Sequence, residues 1–120
     1  MKALVTGGCG FIGSHLVEAL VNEENFDVVV LDSLVKGKKE SIQYLIDEGK
    51  VKLIEGDIRS KDTVDEAMQG VDYVFHLAGI HINQSSQSPD ECISTNIQGS
   101  YNVFHSSLIL VFRLNWIKLK

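Results

Sequence analysis

Gly7, Gly10 and Gly13 recur at every third position directly behind the apolar run Ala3-Leu4-Val5. Residues without side chains let the main chain turn tightly, approach a bound anion closely and pack the next helix on the preceding strand. A helix beginning near Phe11 aims its free N–H groups and positive dipole end at that anion. The chemistry is capture of a pyrophosphate by backbone, with Phe11 and Ile12 inside the same loop. Asp32 stands nineteen residues past Gly13, at the end of the next apolar run. A carboxylate there accepts hydrogen bonds from both hydroxyls of a ribose and repels a 2′-phosphate, so loop and acid together read as a site for NAD over NADP. Lys36, Lys38 and Lys39 follow closely, as a solvated basic turn or as a phosphate contact. The plain alternatives are a glycine turn without a ligand and an acid that merely ends a strand.

Other chemistries find less support. His15, His76, His81 and His105 have no carboxylate or thiolate that completes a metal ligand set. Cys9 lies beside a helix start, where a thiolate is favoured, although any small residue fits there. Cys9 and Cys92 are far apart and match no paired-cysteine motif, which points to a reducing, cytoplasmic compartment. A formal net charge of −5 argues against a nucleic-acid partner, which needs a basic face. No stretch approaches the roughly 18 apolar residues of a membrane span, and Ala3-Leu4-Val5 is too short for a signal peptide.

The elements that must position these residues alternate between strand and helix within one domain of 120 residues. Ala3 to Val5, Val28 to Leu31, Val51 to Ile54 and Val71 to Leu77 read as buried parallel strands. Helical spacing covers Phe11 to Val21, the stretch of Ile42, Leu45 and Ile46 up to Gly49, and a short segment from Ser60 to Gly70. Ser88-Pro89-Asp90-Glu91 predicts a capping box with proline at the first helical position. Ile93, Ile97, Tyr101 and Phe104 then share one helix face. Repeated right-handed crossovers give an α/β fold with a doubly wound parallel sheet. The apolar stretch from His105, with its basic finish, reads as a fifth strand, a helix extension or an unstructured tail.

Thr6-Gly7-Gly8-Cys9-Gly10-Phe11-Ile12-Gly13-Ser14-His15-Leu16 resembles the opening of the extended short-chain dehydrogenase/reductases, in particular nucleotide-sugar epimerases and dehydratases. Leu31-Asp32-Ser33-Leu34 resembles their ribose-binding strand end, with Ser33 where the family often has Asn. Gly56-Asp57-Ile58-Arg59 resembles the segment whose Asp and following backbone hold the adenine. His76-Leu77-Ala78-Gly79 resembles the strand end that lines the cofactor, with Gly79 where Ala is commoner. Ser85 to Pro89 and Thr95 to Val103 resemble the next loop and helix, with Asn96 at a characteristic Asn. The resemblance covers residues 1 to about 104 and implies a Rossmann-type sheet, here incomplete, of four to five strands in the order 3-2-1-4(-5). It assigns cofactor contacts to Gly7, Gly10, Phe11, Ile12, Gly13, Asp32, Ser33, Asp57, Ile58, Leu77, Ala78, Gly79 and Asn96. Residues 1–104 are thus expected to be an NAD-binding half-domain and 105–120 a divergent tail. A homo-oligomer formed through two helices, one of them within Ser88 to Phe104, is also implied.

One departure limits what the chain can do. The family's catalytic pair is Tyr-x-x-x-Lys, because positions i and i+4 share a helix face and the ammonium lowers the tyrosine pKa. Four residues after Tyr44, Tyr73 and Tyr101 stand Glu48, Leu77 and His105. No catalytic residue is therefore expected in the chain, which reads as the cofactor half of such an enzyme, truncated before the dyad and inactive alone. A nucleotide-sugar becomes a partner only if the missing half is supplied. A stand-alone NAD(H)-binding sensor and a non-functional truncated gene product are the other readings.

Overall fold

The carboxyl ends of the strands meet at one rim, and that alignment places the site. β1 (Lys2–Thr6), β2 (Asp27–Asp32), β3 (Val51–Glu55) and β4 (Tyr73–His76) form a parallel sheet in the order β3-β2-β1-β4. The register sets Thr6 beside Leu31 on one side and His76 on the other. The strand order reverses between β1 and β4, and the rim of such a crevice is where open α/β sheets bind ligands. The computed structural model describes the backbone of residues 1–118 and the side chains of residues 1–81 and 83–109.

Both faces of the sheet are covered, which is why β1 and β2 read as unbroken apolar runs. On one face Ala3, Val5, Val28 and Val30 pack against Val17, Leu20 and Val21 of α1 (Phe11–Asn22) and Leu45 of α2 (Gln43–Asp47). On the other face Leu4, Val29 and Leu31 pack against Val64 and Ala67 of α3 (Lys61–Ala67) and against Val103. Ser60 caps α3, its Oγ accepting from the Thr63 N–H.

The region after β4 departs from expectation in four ways. A short helix, α4 (Ile82–Gln87), stands where the sequence suggested loop. Ser88 is the N-cap of α5 (Pro89–Ile93) and Pro89 takes the first helical position, but the Ser88 side chain makes no capping bond. Its backbone carbonyl instead accepts from the Cys92 N–H at 3.1 Å. A π-helical segment, Ser94–Gly99, then leads directly into α6 (Ser100–Lys118). Of the three readings of the C-terminal stretch, the helix extension is the one observed, and the described residues form four strands. Leu119 and Lys120 lie outside the described residues.

The fourth departure concerns the apolar stripe. Ile93, Ile97, Tyr101 and Phe104 are 57, 65, 56 and 57% exposed, so the stripe faces solvent. The buried positions are Gly99, Asn102, Val103 and Ser106, which also follow an i, i+3, i+4, i+7 helical pattern. This small and polar face wins because Gly99 admits Ile58 closely and the amide of Asn102 is satisfied by backbone carbonyls.

Candidate functional site

The loop between β1 and α1 is built for close approach. Gly7 has φ +73°, and a Cβ on it would lie 2.9 Å from the Ala78 amide nitrogen. The Gly10 N–H donates to the Gly7 carbonyl at 3.1 Å and closes the turn. The Ser14 N–H donates to the Gly10 carbonyl at 2.9 Å and starts α1. A side chain on Gly13 would collide with the Gly7 carbonyl oxygen. The first turn of α1 carries no acid of its own, which leaves its free N–H groups without a capping carboxylate from the helix.

Asp32 ties this loop to the one after β2. Its carboxylate is buried, with Oδ2 accepting from the Cys9 N–H at 2.9 Å and Oδ1 from the Leu34 N–H at 2.8 Å. A carboxylate has about four acceptor positions, so capacity is left for a ligand's hydroxyls. Leu34 is held at φ +59°, a strained backbone for a branched residue. The Lys38 N–H donates to the Cys9 carbonyl at 3.0 Å and folds the lysine-rich turn back toward the glycine loop. Burial, then the charges of Asp32 and Glu40, push the Cys9 thiol up to about 12. Cys9 is buried in the core under the sheet's first helix, so it serves as a neutral packing residue.

Thr6 organises the end of β4. The N–H groups of Leu77 and Ala78 donate to its Oγ1 at 3.1 and 3.2 Å. His76 lies on the same oxygen through Nδ1 at 2.6 Å, and its Nε2 reaches Ser100 Oγ at 2.8 Å. Burial lowers the pKa of His76, which favours the neutral ring.

After β3, Asp57 is paired with Arg59. The Arg59 backbone N–H and Nε donate to Asp57 Oδ1, and Nη2 donates to Oδ2 at 2.7 Å. The guanidinium hydrogen bond holds the Asp57 carboxyl below its ordinary pKa. Arg59 Nη1 also donates to Ser94 Oγ at 3.2 Å, linking the loop to the π segment. Ile58 is buried, and the Asn102 amide donates to the carbonyls of Ile58 and Arg59.

These loops surround one open cleft of about 190 Å³. Of the residues the sequence nominated, Gly7, Gly10, Asp32, Ser33, Asp57, Ile58, Leu77, Ala78 and Gly79 line it. Phe11, Ile12, Gly13 and Asn96 do not. Phe11 and Ile12 are exposed at the start of α1, and Gly13 packs behind the turn. The Asn96 side chain is committed to Ile80, with Oδ1 accepting from its N–H at 2.7 Å and Nδ2 donating to its carbonyl at 3.1 Å. Asn96 thus holds the segment that lines the cleft. Arg59, His81, Glu91 and Thr95 join the lining without having been singled out as cofactor contacts. The two-residue spacing from Asp57 was a usable signal for Arg59; the others arrive only through the folding of α4, α5 and the π segment. No tyrosine lines the cleft, and Tyr44, Tyr73 and Tyr101 are exposed.

The model of the 3-beta hydroxysteroid dehydrogenase/isomerase family matches residues 4–112. The chain belongs to that family. Its relatives include proteins named UDP-glucose 4-epimerase and dTDP-glucose 4,6-dehydratase. The low-salt glycan biosynthesis protein Agl12 of Haloferax volcanii is 34% identical over 110 residues, which is 90% of this chain and 36% of that protein. Among solved members, the UDP-glucose 4-epimerase of Thermus thermophilus in complex with NAD is 35% identical, with a TM-score of 0.77 over 88% of this chain and 33% of that one. The dTDP-glucose 4,6-dehydratase DesIV of Streptomyces venezuelae, with NAD and TYD bound, is 32% identical, with a TM-score of 0.80 over 89% and 35% of the two chains. The chain thus spans about a third of the length of the family members it matches. No helix among the described residues is long and apolar enough to cross a membrane.

Proposed function

We propose that this chain is the NAD(H)-binding part of a nucleotide-sugar epimerase or dehydratase. The observation that carries the reading is the convergence of the glycine turn, Asp32, the Asp57–Ile58 turn and Leu77–Gly79 on one cleft at the sheet's switch point. Relatives with NAD bound share this fold at 35 and 32% identity.

Each wall has a task in this reading. The N–H groups at the start of α1, at Phe11, Ile12 and Gly13, receive the pyrophosphate, with Gly7 and Gly10 leaving room for it. Asp32 takes the adenosine ribose hydroxyls on its remaining lone pairs, with Ser33 beside it. The Asp57 carboxylate accepts from the adenine amino group while the Ile58 N–H donates to the neighbouring ring nitrogen. Leu77, Ala78 and Gly79 line the inner half of the site, and Asn96 keeps that segment in place. When bound, NAD supplies a hydride acceptor and donor for a sugar carbon. The proton-handling tyrosine and its lysine are not among these 120 residues, so the chain by itself binds the dinucleotide without turning over a sugar. The cleft is smaller than the ~300–1,000 Å³ of most small-molecule sites, which fits a site whose remaining wall and nucleotide-sugar pocket come from elsewhere. The same reading carries with it a cytoplasmic location and a homo-oligomer formed through two helices, one of them within Ser88 to Phe104.

Calorimetric titration of the chain with NAD, NADH and NADP tests the proposal. Saturable heat with NAD and NADH, weaker with NADP, supports it; no heat at millimolar NAD overturns it.

A further inference from the structure

The polar residue buried behind the Asp57–Arg59 turn has no place in the scheme above. Asn102 is 3% exposed, one turn into α6 and more than forty residues along the chain from that turn. Its Nδ2 donates one hydrogen to the Ile58 carbonyl at 2.9 Å and the other to the Arg59 carbonyl at 3.1 Å. Its Oδ1 accepts from Gln98 Nε2 at 3.3 Å. A buried amide with its donors and acceptor engaged is a rigid part, because every alternative position leaves a polar group unpaired. Gly99, three residues earlier, completes the seat. A Cβ on it would lie 2.6 Å from Cδ1 and from Cγ1 of Ile58, so the bare helix backbone is what lets Ile58 dock. The Ile58–Arg59 turn is therefore held from behind twice, by hydrogen bonds at its carbonyls and by contact at the Ile58 side chain. Its front lines the cleft.

We infer that Asn102, seated with Gly99, is a positioning residue that sets base selectivity by fixing the Ile58 N–H and the Asp57 carboxylate as a donor–acceptor pair. The inference rests on the assignment of this turn to the adenine in the preceding section. Adenine presents an acceptor ring nitrogen beside a donor amino group. Hypoxanthine presents a donor ring N–H beside an acceptor carbonyl. A rigid donor–acceptor pair matches the first and opposes the second, whereas a turn free to shift can avoid the mismatch.

The test measures binding of NAD and of nicotinamide hypoxanthine dinucleotide to the full chain and to its N102A variant. Wild type prefers NAD by at least about tenfold. The N102A chain loses that preference to within about threefold, mainly through weaker binding of NAD. A mere loss of stability scales both affinities together and leaves their ratio unchanged. Should N102A not fold by circular dichroism, G99A supplies the same comparison, since its methyl group displaces Ile58 and leaves the Asn102 amide intact. An unchanged ratio in a folded variant overturns the inference while leaving NAD binding standing. A wild-type chain that binds both dinucleotides equally overturns it too. Failure of the wild-type chain to bind either one overturns the underlying cofactor assignment, and the inference with it.

Discussion

The Thr6 hydroxyl donates to His76 Nδ1 across the seam between β1 and β4, at 2.6 Å. The direction follows from counting. The Ala78 N–H, and the Leu77 N–H that is shared with the Thr6 carbonyl, already point at Thr6 Oγ1, so its own proton goes to the ring. Nδ1 is then an acceptor, and Nε2 carries the hydrogen and donates to Ser100 Oγ at 2.8 Å. The chain Ser100–His76–Thr6–Ala78 thus links α6 to the segment that lines the cleft, and it requires a neutral imidazole. Protonation sets two hydrogens against each other at the 2.6 Å contact.

Stability therefore depends on pH through His76. Its folded pKa lies below the ordinary 6.5 because of burial, so near and below that pH the unfolded chain binds more protons than the folded one. The stability contribution is complete above pH 6.5 and is lost as pH falls through the folded pKa. Urea midpoints measured from pH 8 to pH 5 should decline on the acid side, and His76→Gln should flatten that decline. A second loss, below pH 3.8, follows from Asp57 and Asp65, whose pKa values are lowered chiefly by hydrogen bonds from Arg59 and Ser106.

Asp32→Ala removes the acceptor for the Cys9 and Leu34 N–H groups and the proposed ribose contact together. Hydrogen bonds to a charged group are each worth roughly 1.5–3 kcal/mol, so losing both ribose contacts should lower NAD affinity by about 100-fold or more. Discrimination against NADP should narrow as well, which titration with the two dinucleotides measures.

Gly7 and Gly49 share φ +73°, yet nothing lies within 4 Å of a Cβ on Gly49. Gly49→Ala therefore costs only the backbone conformation, about 1 kcal/mol. Gly7→Ala adds a collision with the Ala78 backbone and should cost about 1–3 kcal/mol more. Denaturant unfolding of the two variants side by side isolates the cost of close approach. Gly7→Ala should also lose dinucleotide binding, whereas Gly49→Ala retains it.

Ile97→Lys tests which face of the helix after β4 is inward. Ile97 is 65% exposed, so the substitution should move the unfolding free energy by no more than about 0.5 kcal/mol. Had the apolar stripe been the core face, a buried lysine would cost several times that.

The sequence was most legible where chemistry depends on backbone. The glycine spacing, the acid ending β2 and the unbroken apolar runs carried the β1–α1 loop, Asp32 and the parallel sheet, because those patterns follow from local geometry and from burial on both faces of a sheet. Legibility failed after β4. There the helix buries Gly99, Asn102 and Ser106 and exposes Ile97 and Phe104, the reverse of its hydrophobic pattern. The inward face is chosen by what Ile58 and its neighbouring carbonyls need, and those needs come from a loop more than forty residues earlier in the chain.

What the sequence determined alone is the cradle. Glycine at positions 7, 10 and 13, and a carboxylate at 32, suit a dinucleotide because each acts through its own backbone conformation or charge. Tertiary structure decided which of the nominated residues line the cleft and which support it. Asn96 turned out to hold Ile80, and Asn102 to seat the Asp57–Arg59 loop. The reason is physical: a hydrogen-bonding side chain takes its role from its partner, and each of these partners is brought up from a distant part of the chain by the packing of α6 and the loops on the sheet.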